Sequence, residues 1–158
     1  MMPGEERLKA LQARMREQSV DLVAIGPTTN MRYLLGFAPH ADERLCLLLI
    51  GQEAVRLVVP ALNREEVAAH TSVELIAWAD AEGPRQAQQA LAAFPHLRAL
   101  AVDGAMRANF LLHLQAAASP EALMAADTLI APLRQRKSPE EIEALARAAA
   151  QADRAMQA

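Results

Sequence analysis

The sequence has few of the residues that build cross-links and metal sites. It contains one cysteine, Cys46, so an internal disulfide and a cysteine-based zinc site are both excluded. Because Cys46 lies in an apolar run from Leu45 to Ile50, we expect a buried thiol rather than an exposed nucleophile. No histidine has metal-ligand spacing such as His-Glu-x-x-His; the histidines are His40, His70, His96 and His113. The sequence predicts no metal site in this chain.

Long apolar runs and a strong charge imbalance are also absent. No run approaches the roughly 18 residues that span a bilayer, and residues 1–7 lack the apolar core of a signal peptide. The net charge of −3 gives no general attraction to nucleic acid or to an anionic membrane. We interpret the basic cluster at 134–137 as a solvated connecting segment, because nucleic-acid recognition needs a broader basic face. We therefore expect a cytoplasmic protein with no nucleic-acid or membrane partner.

The usual catalytic motifs are missing as well. Neither G-x-G-x-x-G nor the phosphate-binding G-x-x-x-x-G-K-[ST] occurs, and no serine lies in a G-x-S-x-G turn. Gly26-Pro27 and Asp103-Gly104 are therefore interpreted as plain turns after strands. We predict no catalytic residue in this chain.

Apolar and polar residues alternate in a way that predicts regular secondary structure. With 53% hydrophobic residues, the 158-residue chain can form one globular domain and a trailing helix. The predicted helices cover 5–18, 63–70, 84–94, 108–117 and 139–158, with a further short helix that Thr28 or Thr29 caps and that runs through Leu35 to an end at Gly36. The predicted strands cover 21–26, 45–50, 54–59, 73–77, 97–102 and 121–127, the last as an edge strand. Strands that alternate with helices, plus one central hairpin, predict an α/β fold: a mixed parallel and antiparallel sheet with helices on both faces.

The last 21 residues predict an amphipathic helix with a distinct start. Ser138 can cap the helix, Pro139 suits its first position, and Glu141 completes a capping box. One apolar stripe then follows, formed by Ile142, Leu145, Ala149, Ala152 and Met156. Because no capping residue ends this helix, we expect the chain to be part of a longer protein, cut in or after a connecting helix.

Two segments of the sequence resemble one known family. The segment 133–153 resembles the junction between the two domains of the creatinase and Xaa-Pro peptidase family, the "pita-bread" metallopeptidases. Its matching residues are Leu133-Arg134, Lys137 to Ile142, Leu145, Ala148-Ala149 and Asp153. The segment Asn30 to Phe37 resembles the family's Asn-x-x-Tyr-Leu-(Thr)-Gly-Phe motif, with Leu35 where threonine is common. Weaker matches occur at Arg44, Val58-Val59-Pro60, Trp78-Ala79-Asp80 and Val102-Asp103.

The resemblance implies a two-domain protein of which this chain is the first part. Residues 1–132 would form the creatinase/prolidase N-terminal domain, and residues 133–158 a linker helix that leads to a missing C-terminal catalytic domain. In the family, that catalytic domain holds two divalent metal ions with two Asp, one His and two Glu. The implied partners are the catalytic domain itself, a second copy in a homodimer or higher oligomer, and short proline-containing peptides.

The loop after Gly36 is the predicted functional region. Residues 38–43 are polar and contain a proline, and binding groups are often found on such loops. By resemblance, Phe37, His40 and Arg44 would line the substrate pocket of the partner subunit. Phe37 would supply an apolar wall, His40 a hydrogen bond or a charge that protonation switches, and Arg44 a carboxylate contact. From the residues alone, His40 could equally be an ordinary exposed histidine, and Arg44 could pair with Asp42 or Glu43.

The sequence leaves three functions open. The first is the non-catalytic N-terminal domain of a metal-dependent Xaa-Pro dipeptidase or aminopeptidase, inactive by itself. The second is the same domain in a creatinase-like amidinohydrolase. The third is a freestanding α/β interaction module whose last helix binds a partner. We expect the first.

Overall fold

The fold is described from a computed structural model, which covers residues 3–81, 90–91, 94 and 97–157. The helices are α1 (Pro3–Glu17), α2 (Thr29–Leu35), α3 (Arg64–Ala68), α4 (Ala108–Ala117), α5 (Asp127–Gln135) and α6 (Pro139–Gln157), with a 3-10 turn at Ala61–Asn63. The strands are β1 (Leu22–Ile25), β2 (Leu47–Gly51), β3 (Val55–Pro60), β4 (Glu74–Trp78), β5 (Ala99–Val102) and β6 (Ala122–Ala125). Most of the predicted helix 84–94 lies outside the described residues.

The six strands form one mixed sheet in the order β4-β3-β2-β1-β5-β6. Strand β2 runs antiparallel to both β1 and β3, whereas the pairs β1–β5, β3–β4 and β5–β6 are parallel. The hairpin between β2 and β3 turns at Gly51, where a Cβ atom would lie 2.5 Å from the ring of Phe94. The predicted mixed sheet with a central hairpin is confirmed.

Two hydrophobic cores lie on opposite faces of this sheet. Alternate residues of β1 divide between them, with Val23 and Ile25 in one core and Leu22 and Ala24 in the other. The first core contains buried residues from four helices: Leu11 and Met15 of α1, Met31 and Leu34 of α2, Val67 of α3, and Leu129 and Ile130 of α5. The second contains Phe110 and Leu114 of α4. The prediction of helices on both faces is confirmed.

Helix α2 has Thr28, one of the two predicted caps, at its start, and it ends at Gly36 as predicted. The hydroxyl of Thr28 accepts a hydrogen bond from the backbone N–H of Asn30 at 3.2 Å, which caps the helix. Gly36 has a φ of 77°, and its N–H donates to the carbonyl of Arg32 at 2.8 Å. This left-handed ending turns the chain away from the helix and sets the starting point of the loop that follows.

Helix α5 was not predicted from the sequence, which placed a strand as far as residue 127. Strand β6 ends at Ala125, and α5 begins without a capping side chain and contains Pro132. Proline has no N–H to donate to the carbonyl of Thr128, four residues earlier. Arg14 of α1 donates to that carbonyl at 3.4 Å and to the carbonyl of Leu129 at 3.0 Å. Contacts with a distant helix therefore stabilise α5.

A second, smaller difference concerns the predicted helix 63–70. The structure has a 3-10 turn at Ala61–Asn63 followed by the five-residue helix α3. Asn63 makes no side-chain capping hydrogen bond, and Pro60 immediately precedes the turn. The helix is therefore shorter than the apolar pattern predicted.

Helix α6 starts as predicted, and most of its residues are exposed to solvent. The backbone N–H of Ser138 donates to Glu141 Oε2 at 2.9 Å, and the N–H of Glu141 donates to Ser138 Oγ at 3.3 Å, which completes the capping box. The stripe residues Ile142, Leu145 and Met156 are 57%, 58% and 88% exposed. Among the described residues, no helix combines the length and apolarity needed to cross a membrane.

Candidate functional site

The loop from Gly36 to Arg44 connects α2 to β2 and carries the three predicted site residues. At its first end, the ring of Phe37 stacks on the imidazole of His70, with centroids 4.3 Å apart and planes 15° from parallel. Phe37 is half-buried and packs against the first core. The start of the loop is thus held by an aromatic contact with the segment after α3.

Arg44 holds the other end of the loop through several carboxylates. Its guanidinium lies 3.3 Å from both carboxylate oxygens of Asp80, 3.4 Å from Asp42 and 3.8 Å from Glu43. Hydrogen bonding to Asp80 raises the pKa of Arg44. The pairing with Asp42 and Glu43 that the sequence left open therefore occurs, and the fork-shaped contact with Asp80 is added to it.

Trp78 holds the backbone of Leu45, the residue after Arg44, in place. Its indole N–H donates to the carbonyl of Leu45 at 2.8 Å, and the Trp78 side chain is buried in the second core. Trp78 ends β4, and Asp80 follows two residues later. The end of β4 thus fixes both the side chain of Arg44 and the backbone that enters β2.

His40 occupies the middle of the loop and is exposed. It lines an open cleft of about 640 Å³ together with Thr28, Thr29 and Arg32, while the neighbouring Pro39 is buried. The three predicted residues therefore differ in their surroundings. Phe37 and Arg44 make contacts with other residues of the domain, whereas His40 is exposed to solvent in the wall of a cleft.

A buried polar cluster beside this loop was not predicted from the sequence. Asp103 is 3% exposed and follows β5, while Asn30 is 5% exposed and lies in the first turn of α2, after β1. The carboxylate of Asp103 accepts hydrogen bonds from the Thr28 hydroxyl, from Asn30 Nδ2 at 3.1 Å and from the N–H of Ala105 at 3.0 Å. Arg134 Nη1 in turn donates to Asn30 Oδ1 at 2.7 Å.

This cluster lies where the carboxyl ends of the parallel strands β1 and β5 meet, a common position for functional groups in α/β sheets. An aspartate directly after an apolar strand was the available signal for Asp103. The rest of the cluster could not be inferred, since Asn30 lies 73 residues from Asp103 in the chain and Arg134 lies 104 residues from Asn30.

Cys46 and the metal-ligating types of side chain add no second site among the residues that the structure describes. Burial raises the pKa of Cys46 to about 12, so its thiol stays protonated at neutral pH, as predicted for a structural cysteine. In the part of the chain that the structure describes, no three His, Cys, Asp or Glu side chains are placed to hold a metal ion together.

Comparison with protein families gives a match over most of the chain. Residues 7–136 match the Creatinase/Prolidase N-terminal domain family. A comparison with curated protein sequences gives no significant match.

Solved structures of this architecture are numerous, and three illustrate the range. The prolidase from Pyrococcus horikoshii OT3 is 25% identical, with a TM-score of 0.79, over 97% of this chain and 42% of its own. The dipeptidase PepE from Mycobacterium ulcerans is 28% identical, with a TM-score of 0.84, over 96% and 42% of the two chains.

The third structure is the creatinase/prolidase N-terminal domain of an X-Pro dipeptidase from Streptococcus pyogenes. It is 21% identical, with a TM-score of 0.67, and the match covers 82% of this chain and 97% of its own. At that identity it shows the fold alone. This chain therefore spans about two-fifths of the two longer proteins and corresponds in fold to a separately solved domain.

Proposed function

We propose, from the fact that this chain belongs to the creatinase/prolidase N-terminal domain family, that it is the non-catalytic domain of a cytoplasmic, metal-dependent Xaa-Pro dipeptidase or aminopeptidase. Similarity to a prolidase at 25% identity and to a dipeptidase at 28% supports the peptidase over the creatinase alternative. We propose that a C-terminal domain, entered through α6, carries two divalent metal ions, which would supply an activated water for peptide hydrolysis.

The observation that carries the rest of the proposal is the loop from Gly36 to Arg44. It is held at both ends, by Phe37 on His70 and by Arg44 on Asp80, while His40 between them is exposed. A loop fixed in this way can present one side chain to another surface with little loss of conformational entropy. We propose that it closes the substrate pocket of a partner subunit in a homodimer or higher oligomer.

Each of the three residues has a distinct proposed role in that pocket. The half-buried ring of Phe37 supplies an apolar wall for the proline ring of a short peptide. His40 donates a hydrogen bond to the substrate, and protonation would add a positive charge. Arg44 is engaged by Asp80 and Asp42, so its proposed contact with a substrate carboxylate would use the guanidinium N–H groups that these two residues do not bind.

The first experiment compares substrates for the protein that contains this domain together with its C-terminal domain. Purified with divalent metal, it should hydrolyse Xaa-Pro dipeptides and leave creatine unchanged. Hydrolysis of creatine instead would favour the amidinohydrolase alternative. Peptidase activity in the 158-residue chain by itself would contradict a non-catalytic role.

The second experiment tests the loop with a matched pair of histidine variants. His40→Ala should lower kcat/KM for an Xaa-Pro dipeptide about tenfold, which is the loss expected for one hydrogen bond to a charged group. His113→Ala, at an exposed position on α4, should leave it unchanged. Equal effects of the two substitutions would remove the basis for assigning His40 to the pocket.

Mixed oligomers can decide whether the loop acts in trans. Subunits with His40→Ala are exchanged with subunits that have an intact loop but cannot bind the catalytic metals. If the loop serves the partner, the mixture should regain activity, because each intact catalytic domain then faces an intact loop. A mixture no more active than its His40→Ala component would show that the loop acts within its own subunit.

A further inference from the structure

A second cleft, which shares Thr29 and Arg32 of α2 with the cleft of His40, has a strongly positive lining. It has a volume of about 610 Å³ and lies between α1, α2, α5 and the start of α6. We call it the basic cleft; its charged residues are Arg7, Arg32, Arg134, Lys137 and Glu141. Four cations and one carboxylate leave three excess positive charges, on a chain whose net charge is −3.

Most of this positive charge has no carboxylate to balance it. Arg7 pairs with Glu141 at 2.9 Å, but Arg134 donates to the neutral amide of Asn30. Lys137 donates to the backbone carbonyls of Arg134 and Gln135 at 2.7 and 3.5 Å. Within the described ranges, the side chain of Arg32 makes neither a hydrogen bond nor an ion pair, and only its backbone groups are bonded, within α2 and its cap. Three of the four cations are therefore available to an external anion.

Two of the arginines are held in place before any ligand arrives. The Arg7 guanidinium lies 4.5 Å from the ring centroid of Tyr33 and donates to the Tyr33 carbonyl at 2.6 Å. Arg134 is fixed by Asn30, whose amide is itself held by the buried Asp103. A pre-organised guanidinium loses little conformational freedom when it binds an anion, which favours affinity.

The neutral groups of the cleft also suit an anionic ligand. Burial raises the pKa of Tyr33, so its hydroxyl remains a donor at neutral pH. Thr29 adds a second hydroxyl to the lining. A ligand that accepts many hydrogen bonds, donates few and carries two charges matches this set of donors. Arginine forks match the oxygens of phosphate in particular.

We propose that the basic cleft binds the phosphate group of a small molecule, with Arg32 and Arg134 as its direct contacts and Lys137 as a supporting charge. The volume exceeds that of a phosphate ion, so a phosphorylated metabolite can be accommodated. The cleft adjoins the first turn of α6, where Glu141 both caps that helix and pairs with Arg7. The proposal does not rest on the peptidase function proposed above, although Thr29 and Arg32 also line the cleft of His40.

The test uses the 158-residue chain and inorganic phosphate as the probe, measured by isothermal titration calorimetry. Sodium chloride at matched ionic strength serves as the reference, since simple screening would affect both titrations equally. We expect saturable binding of one phosphate per chain. Arg32→Gln should weaken it about tenfold, the loss expected for one charge-assisted contact.

Arg64→Gln is the matched control, because it removes the same charge from an exposed position on α3, outside the cleft. Arg32 is also exposed, and its side chain makes no hydrogen bond or ion pair with the described residues, so its substitution should leave the fold intact, which circular dichroism can verify. Lys137→Gln provides a second variant, with an expected loss of about threefold for a supporting charge.

Three results would overturn the proposal. The first is no saturable phosphate binding beyond the chloride reference. The second is an equal loss of affinity in Arg32→Gln and Arg64→Gln, which would indicate non-specific attraction. The third is succinate binding as tightly as phosphate, which would exclude a preference for phosphate over a dicarboxylate.

Discussion

Replacement of Asp103 by alanine should destabilise the domain more than any surface substitution. The carboxylate accepts three hydrogen bonds, from Thr28, Asn30 and the N–H of Ala105, and only 3% of the residue is exposed. Asp103→Ala would leave all three donors without their acceptor. The bond to Asn30 is buried, whereas the other two are partly buried, so water can replace part of what is lost there.

The expected magnitude follows from these three bonds. A buried donor left unsatisfied costs about 2 kcal/mol, and a partly buried one about 1 kcal/mol, for a total of about 4 kcal/mol. For a domain of this size, that loss corresponds to a Tm lower by roughly 8–16 °C. Asp103→Asn keeps one acceptor oxygen and should lose about half as much.

Urea unfolding followed by circular dichroism measures the effect directly. Asp153→Ala is the matched control, since Asp153 lies on the exposed face of α6. In the double variant with Thr28→Ala, the second substitution should cost less than it does alone, because the two residues share a hydrogen bond. A loss below about 1 kcal/mol for Asp103→Ala would refute this account of the cluster.

Two further predictions concern Cys46 and Glu141. Because burial raises the pKa of Cys46 to about 12, the native thiol should not react with a disulfide reagent at pH 8, yet should react fully in urea. As the pH rises, the thiol ionises in the unfolded chain before it ionises in the folded one. The free energy of unfolding should therefore fall by up to about 1.4 kcal/mol per pH unit between about pH 9 and 12. Cys46→Ala should remove that decline. Glu141→Gln removes the ion pair with Arg7 and weakens the capping box, so amide exchange in the first turn of α6 should accelerate about fivefold. Glu143→Gln, which affects only an exposed pair with Arg147, should leave that exchange unchanged.

The sheet and most helices were predictable because their determinants are local. Apolar runs ended by glycine or proline marked the strands, and Thr28 and Gly36 marked the two ends of α2. The capping box at Ser138 and Glu141 did the same for α6. Such signals involve residues at most a few positions apart, and no knowledge of the tertiary structure is needed to recognise them.

Helix α5 shows where local signals fail. It begins at Ala126-Asp127 without a capping side chain, and Pro132 in its interior is typical of a chain segment that is not helical. Its stability depends on Leu129 and Ile130 in the first core and on hydrogen bonds from Arg14, which lies 115 residues away from Leu129 in the chain. Tertiary contacts thus override a weak local preference.

Of the candidate site, only the loop could be located from the sequence. The glycine ending α2 and the polar residues after it predicted where the chain turns outward, and His40 is exposed there. The contact between Arg44 and Asp80 spans 36 residues, and that between Arg134 and Asn30 spans 104. Neither pairing has a signature in the sequence, because each forms only when the fold brings two distant segments of the chain together.

The same limitation explains why the cluster at 134–137 was interpreted as a solvated linker. In the chain it is a short basic run beside a helix start, with too few charges to indicate a binding face. The fold adds Arg7 from α1 and Arg32 from α2 to Arg134 and Lys137, and Asn30 fixes the direction of Arg134. Charge that is dilute along the sequence becomes concentrated around one cleft, and that concentration is the physical basis for expecting an anion there.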